Sequence, residues 1–211
     1  MIRRAGSIPV LVALALSFAV VATVAPVAPV ADAAVIVVPP RAGQLGVGLA
    51  GQYGTLLSTG GLGSDYGSGG GIGVRLRYRL RYERAVGVTF EQQKFDIRHE
   101  ADSTFAERTL TLLNTSVEFY QLFGTRGRTT KMLSAGFGLC QPSKKLADGE
   151  IKLGGNDVLD GAFISVGAGV ERFVYQSLGI DLNLHYQTIF QNGSTNHNIQ
   201  AAAGLIFYAS Y

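Results

Sequence analysis

From Gly71 to Arg81 the chain alternates without a break: Ile72, Val74, Leu76, Tyr78 and Leu80 take one parity, and Gly73, Arg75, Arg77, Arg79 and Arg81 take the other. A helix would scatter these residues around its circumference. A strand, whose side chains repeat every two residues, sorts them into one apolar face and one basic face. Such a strand needs neighbours of matching parity, because slipping one residue would turn every arginine into the apolar medium.

The same period runs through the chain from Gln44 onward, and no amphipathic helical pattern competes with it after the N-terminal segment. A first strand sets Leu45, Val47, Leu49 and Gly51 against Gly46, Gly48, Ala50 and Gln52, and a loop is expected over Thr55 to Gly70. A turn around Tyr82-Glu83-Arg84 leads to a strand with Val86, Val88 and Phe90 opposing Gly87, Thr89, Glu91 and Gln93. Further strands carry Leu113 to Phe119, Leu133 to Leu139, Ala162 to Val170, Ile180 to Tyr186 and Ala201 to Tyr211 on their apolar faces. Leu110 and Leu112 fall on the polar parity, which implies either a bulge or a strand that continues past the apolar medium. Polar loops are expected at about Asp96 to Arg108, Gln141 to Asp157 and Gln191 to Asn198, and short turns at Gly124 to Thr130 and Val174 to Ser177. The count is eight strands, joined alternately by long loops and short turns. The fold class is therefore all-β, an eight-stranded antiparallel up-and-down transmembrane β-barrel spanning residues 44–211.

The 211 residues suffice for one such domain once a targeting segment is removed. Arg3 and Arg4, the apolar stretch from Ile8 to about Val30, and Ala31-Asp32-Ala33-Ala34 read as a cleavable signal peptide over 1–33. Pro9, Pro26 and Pro29 argue against a retained membrane helix, and the residues after Arg4 do not follow the fuller twin-arginine pattern. A short periplasmic segment, 34–43, would precede the barrel. Removing Arg3, Arg4 and Asp32 leaves 16 basic and 14 acidic residues, a charge of +2 that is too mild and too dispersed for nucleic acid. A single cysteine, Cys140, excludes an internal disulfide and a cysteine metal centre.

Period two alone does not say which face meets lipid, since a soluble ligand-binding barrel turns the same apolar face inward. Two features favour the membrane reading. Gly73, Gly87, Gly136, Gly138, Gly167 and Gly169 lie on the polar faces, where a narrow lumen needs small residues between long ones. The closing strand ends with Gly204, Phe207 and Tyr211, similar to the assembly signal of outer-membrane proteins. An arginine facing lipid near the midplane costs about 2 to 4 kcal/mol, so Arg75, Arg77 and Arg79 must face the lumen. Buried there they need partners, and Glu91, Glu118, Glu171 and Asp181 share their parity, with His185 among them. A turn centred on Glu83 would place Arg75 opposite Glu91.

With these features the chain resembles the small eight-stranded outer-membrane barrels, the group of the OmpA transmembrane domain, OmpX and the opacity proteins, over about Gln44 to Tyr211. The resemblance implies a monomer in the Gram-negative outer membrane, in contact with its lipid and lipopolysaccharide, inserted by the outer-membrane assembly machinery. It also implies a lumen filled by a charged network, and loops that adhere or bind. No cell-wall-binding domain is expected, because the barrel pattern runs to the last residue.

Some barrels of this size modify lipid A, using a histidine and a serine two apart on one strand face at the lipid boundary. Here His185 is followed at that spacing by Gln187, and His197 falls within an expected loop beside Asn196 and Asn198, so no catalytic residue, cofactor or metal is assigned. Gly155 to Gly161 resembles one calcium nonapeptide, but such sites arise between stacked repeats and only one copy is present. Gly67 to Gly73 lacks the Gly-Lys-Ser/Thr of a phosphate loop and reads as a surface loop, and Asn192-Gly193-Ser194 reads as a turn.

Overall fold

The computed structural model describes residues 41–57, 61–98, 109–145, 151–153, 161–175, 177–191 and 194–209, all within the unit Ile36–Tyr211. The expected signal peptide, most of the 34–43 segment, most of the Gly155 to Gly161 run, Asn192-Gly193 and Tyr211 lie outside the described residues.

The strands are β1 (Leu45–Leu56), β2 (Tyr66–Arg81), β3 (Arg84–Ile97), β4 (Thr109–Phe123), β5 (Thr129–Lys145), β6 (Ile151–Leu153), β7 (Gly161–Tyr175), β8 (Leu178–Gln191) and β9 (Ser194–Tyr208), with one four-residue helix, α1 (Leu62–Asp65). Every pairing is antiparallel, in the order β4-β3-β2-β1-β9-β8-β7-β5, and β4 also pairs with β5. Eight long strands thus close on themselves, so no backbone edge is left unpaired in the apolar medium. The three-residue β6 pairs only with the projecting end of β5. Pro142 sits just past the last β5–β7 pair, Cys140 with Gly161, toward the end of the ladder, where a proline is tolerated.

The register determines the geometry. From Arg84 the cross-strand partners run Gln121, Leu133, Ala168, Leu184, Ala201, Tyr53 and Gly70, and return to β3 at Lys94, ten residues farther along. Eight strands sheared by ten residues tilt by about 40° to the barrel axis and enclose a lumen that side chains can fill.

The apolar parity is outside: Leu49, Ile72, Phe119, Phe137, Leu184 and Phe207 are exposed, while Arg77, Glu171, Gln93 and Asn198 are fully buried. This orientation excludes a soluble barrel with an apolar interior.

Three local expectations are corrected, and one left between two alternatives is decided. Gly67 to Gly73 belongs to β2, because β1 and β3 both pair it, and a Cβ at Gly69 would lie 2.7 Å from Phe95 Cα. Glycine is therefore the residue that permits this close approach, although by propensity the run reads as loop. The Gln191 to Asn198 segment is largely strand, with Asn196 and Asn198 buried inside the barrel. Their amides break the hydrophobic rhythm that marks a strand without breaking its parity. Leu110 and Leu112 require no bulge, since β4 keeps a continuous register on both sides and both leucines point inward. Finally, the Gln141 to Asp157 segment is in part strand, since β5 continues to Lys145 and meets β6.

Candidate functional site in the lumen

The lumen is layered. At the long-loop rim Leu56, Leu62, Tyr66, Phe95, Leu110, Leu112, Cys140, Phe163 and Ile189 form an apolar cluster, with Leu62 delivered by α1. The Leu62 backbone N–H donates to Asn196 Oδ1 at 2.7 Å, which ties the helix to β9. Below lies a layer of amides. Gln200 Nε2 donates to Gln52 Oε1 (2.7 Å) and Glu91 Oε1 (3.2 Å), and Asn198 Nδ2 donates to Gln187 Oε1 (3.2 Å) and Gln93 Oε1 (3.3 Å).

Nearer the short-turn rim lie the charges. Arg77 Nη1 meets Glu171 Oε2 at 2.9 Å and its Nη2 meets Asp181 Oδ2 at 2.8 Å. Arg79 Nη2 reaches the same Glu171 oxygen at 3.2 Å, and Arg75 Nη1 reaches Asp181 Oδ2 at 3.5 Å. Three consecutive inward positions of β2 therefore converge on one carboxylate of β7 and one of β8. Two tyrosines complete the cluster: the Arg77 guanidinium lies 4.4 Å from the Tyr120 ring centre, and the Tyr208 hydroxyl donates to Glu171 at 3.2 Å. Below them Phe173, Ile206 and Tyr208 pack together, as do Ala85, Tyr120, Leu122 and Met132.

The acids divide into two groups. Glu171 and Asp181 meet the arginines, whereas Glu118 accepts from the Tyr120 hydroxyl and lies 3.8 Å from His185 Nδ1. Arg75 does not face Glu91. Its partner is Thr89, and Glu91 stands opposite Gly73. The turn is tighter than a Glu83-centred one, with a register irregularity between Arg79 and Arg81, which shifts the pairing by two residues. Tyr120, Tyr208, Gln52, Gln93, Gln187, Asn198 and Gln200 are functional-layer residues that the charge argument missed. Their inward parity was the available signal.

Within the lumen, a cavity of about 20 Å³ bordered by Gly48, Gly73, Arg75, Thr89, Glu91 and Asp181 holds at most a single water. The two described histidines have different surroundings. His185 is buried inside, and His197 lies on β9 rather than in a loop, opposite Thr188 on the outer face. Its Nδ1 is 2.8 Å from the Tyr186 hydroxyl and 3.4 Å from Thr188 Oγ1, with the Tyr186 ring stacked on it. Among the described residues no three histidine, cysteine or acidic side chains converge as a metal site.

The family described as outer membrane protein beta-barrel domain matches residues 12–207. Among solved structures, Neisserial surface protein A superposes with a TM-score of 0.57 at 16% identity, covering 77% of this chain and 96% of its own. The attachment invasion locus protein Ail of Yersinia pestis, solved with the heparin analogue sucrose octasulfate, gives 0.54 at 13%, covering 80% and 100%. The N-terminal β-barrel domain of Pseudomonas aeruginosa OprF gives 0.51 at 15%, covering 79% and 99%. No curated protein sequence matches the chain.

Proposed function

The chain belongs to the outer membrane protein beta-barrel family, and from that premise we propose that it is a closed, non-enzymatic barrel that supports envelope integrity or surface adhesion through its long loops. It resides in the Gram-negative outer membrane. The observation that carries the reading is the filled lumen. Arg77 is fully buried among Glu171, Asp181 and Tyr120, and the cavity beside Arg75 has room for about one water, both of which favour a plugged lumen over a diffusion path. Function is thereby directed to the long-loop rim. Arg75, Arg77, Arg79, Glu91, Glu118, Glu171, Asp181 and His185 serve as the structural filling. Phe207 on the lipid face and Gly204 at the β1–β9 seam, with Tyr211, serve recognition by the assembly machinery during insertion.

Three measurements test this. The protein should fractionate with outer membranes and migrate faster on gels when unheated, and recovery as a soluble periplasmic protein would refute the reading. In planar bilayers it should show no stable open channel, whereas a large steady conductance would overturn the plugged lumen. Deleting the gene should increase detergent sensitivity or reduce surface attachment, and replacing the long loops should abolish the attachment.

A second reading, a lipid A-modifying enzyme, has one observation in its favour: His197 and Thr188 adjoin on the lipid-facing side. Against it, the ring nitrogen that would serve Thr188 is held more closely by Tyr186. Lipid A mass spectra should be unchanged by expression of the protein, and an altered acyl pattern would establish the second reading instead.

A further inference from the structure

Above the short-turn rim the outer face carries three exposed cations, Arg84 on β3, Lys131 on β5 and Arg172 on β7. Their strand positions differ, yet the shear brings them to one height. A ten-residue shear over eight strands raises each perpendicular step by about one and a quarter residues. Two steps from Arg84 lead to Leu133, and Lys131 lies two residues back toward the rim. Three steps lead to Ala168, and Arg172 lies four residues back. All three thus stand within about half a residue of the same level.

The rest of that level is apolar or aromatic on the outer face, with Phe123 between Arg84 and Lys131, then Ile180, Phe207 and Tyr78 around the other side. The cations therefore occupy one sector rather than a ring. None of the three is ion-paired with a described residue, and the neighbouring acid on this rim is Glu83 in the β2–β3 turn. The β4–β5 turn adds Arg126 and Arg128 beneath them.

Above the sector is a groove of about 480 Å³ lined by Phe119, Leu133 and Ala135, with Gln121 below them and Arg84 and Leu80 at its lower end. Ala135 opens it, standing between the larger Leu133 and Phe137 on β5. The groove climbs about 10 Å from the cations toward the membrane centre. A cationic base below an apolar channel complements one molecule: an anionic lipid with its phosphate at the interface and an acyl chain running upward.

We propose that the β3–β7 sector is a binding site for an anionic phospholipid of the periplasmic leaflet, with its phosphate between Arg84 and Lys131, Arg172 alongside, and one acyl chain against Phe119 and Ala135. The proposal rests on the outer-membrane reading above, which places the short turns on the periplasmic side.

The test uses the refolded full barrel in phosphatidylcholine vesicles, with spin-labelled phosphatidylglycerol or spin-labelled phosphatidylcholine as probe. The unaltered protein should prefer phosphatidylglycerol at physiological salt, by up to about five-fold per engaged cation. The R84Q/K131Q/R172Q variant should lose that preference, and A135F, which fills the groove without changing charge, should reduce it. R41Q/K94Q, which removes two charges outside the sector, should retain it, whereas R84Q/K131Q, which removes two inside it, should reduce it. An unaltered protein without preference, a triple variant that keeps it, an R41Q/K94Q variant that loses it, or an A135F variant at full preference overturns the site. Displacement of the probe by millimolar glycerol phosphate would point to a free phosphate ester and also overturn the lipid assignment. Single variants R84Q and K131Q give the same comparison if the triple variant does not fold. Unheated gel mobility reports the barrel separately, so failure of the lipid site leaves the functional reading standing or falling on its own measurements.

Discussion

At the scale of single residues, Arg77 has the least room for change. It is the shared partner of Glu171 and Asp181 and covers the Tyr120 ring. Replacing it with alanine leaves Glu171 with Arg79 as its one remaining cation beside the Tyr208 hydroxyl, and Asp181 with the more distant Arg75. Urea unfolding in lipid vesicles should show Arg77→Ala losing about 3 to 5 kcal/mol, the range for a buried pair deprived of one partner. A loss below about 1 kcal/mol would mean that the cluster contributes little to stability. Gly204 is constrained differently. A Cβ there would lie 2.7 Å from Ala50 Cα and also meet the Leu49 carbonyl, at the seam where β9 meets β1. Gly204→Ala should lower stability by about 1 to 3 kcal/mol through crowding, and an unchanged unfolding midpoint would contradict the close approach.

At the scale of elements, the upper part of β4 shows how parity and hydrophobicity can separate. Leu110 and Leu112 keep the inward parity of Asn114, Ser116 and Glu118 but enter the apolar cluster under α1. Leu112→Ala should cost about 2 to 5 kcal/mol by leaving a cavity, measurable by the same unfolding series. Cys140 is buried in this cluster as well. A membrane-impermeant maleimide should therefore leave the folded protein unmodified and label it fully after denaturation. Rapid labelling of the folded barrel would show that the cluster is open. In β2 the glycines that read as loop are a paired strand, because propensity is a property of isolated residues while pairing depends on neighbours.

At the scale of the whole molecule, closure makes shear, tilt and lumen width one quantity. A ten-residue shear implies strands tilted by about 40°. Polarised infrared spectra of aligned membranes should return that tilt, and a value near 30° would require a different register. The layered filling follows from the same geometry. With the lumen this narrow, long inward side chains reach strands across the barrel, as β2 meets β7 and β8 through Arg77.

Sequence alone determined the all-β class, the eight long strands and the inward face of the arginines, because each follows from a period of two and from the cost of charge in lipid. Strand ends were less legible. Asn196, His197 and Asn198 look like loop until the lumen that receives the asparagine amides is known. Partnerships were not legible at all. Arg75 meets Asp181 rather than standing opposite Glu91, because a tighter turn and the register irregularity between Arg79 and Arg81 together shift the pairing by two residues. Only the closed structure decided which acids the arginines meet, and that Arg84, Lys131 and Arg172, far apart in sequence, stand at one height. Both depend on the shear, a sum over all eight seams of the barrel that no local stretch of sequence contains.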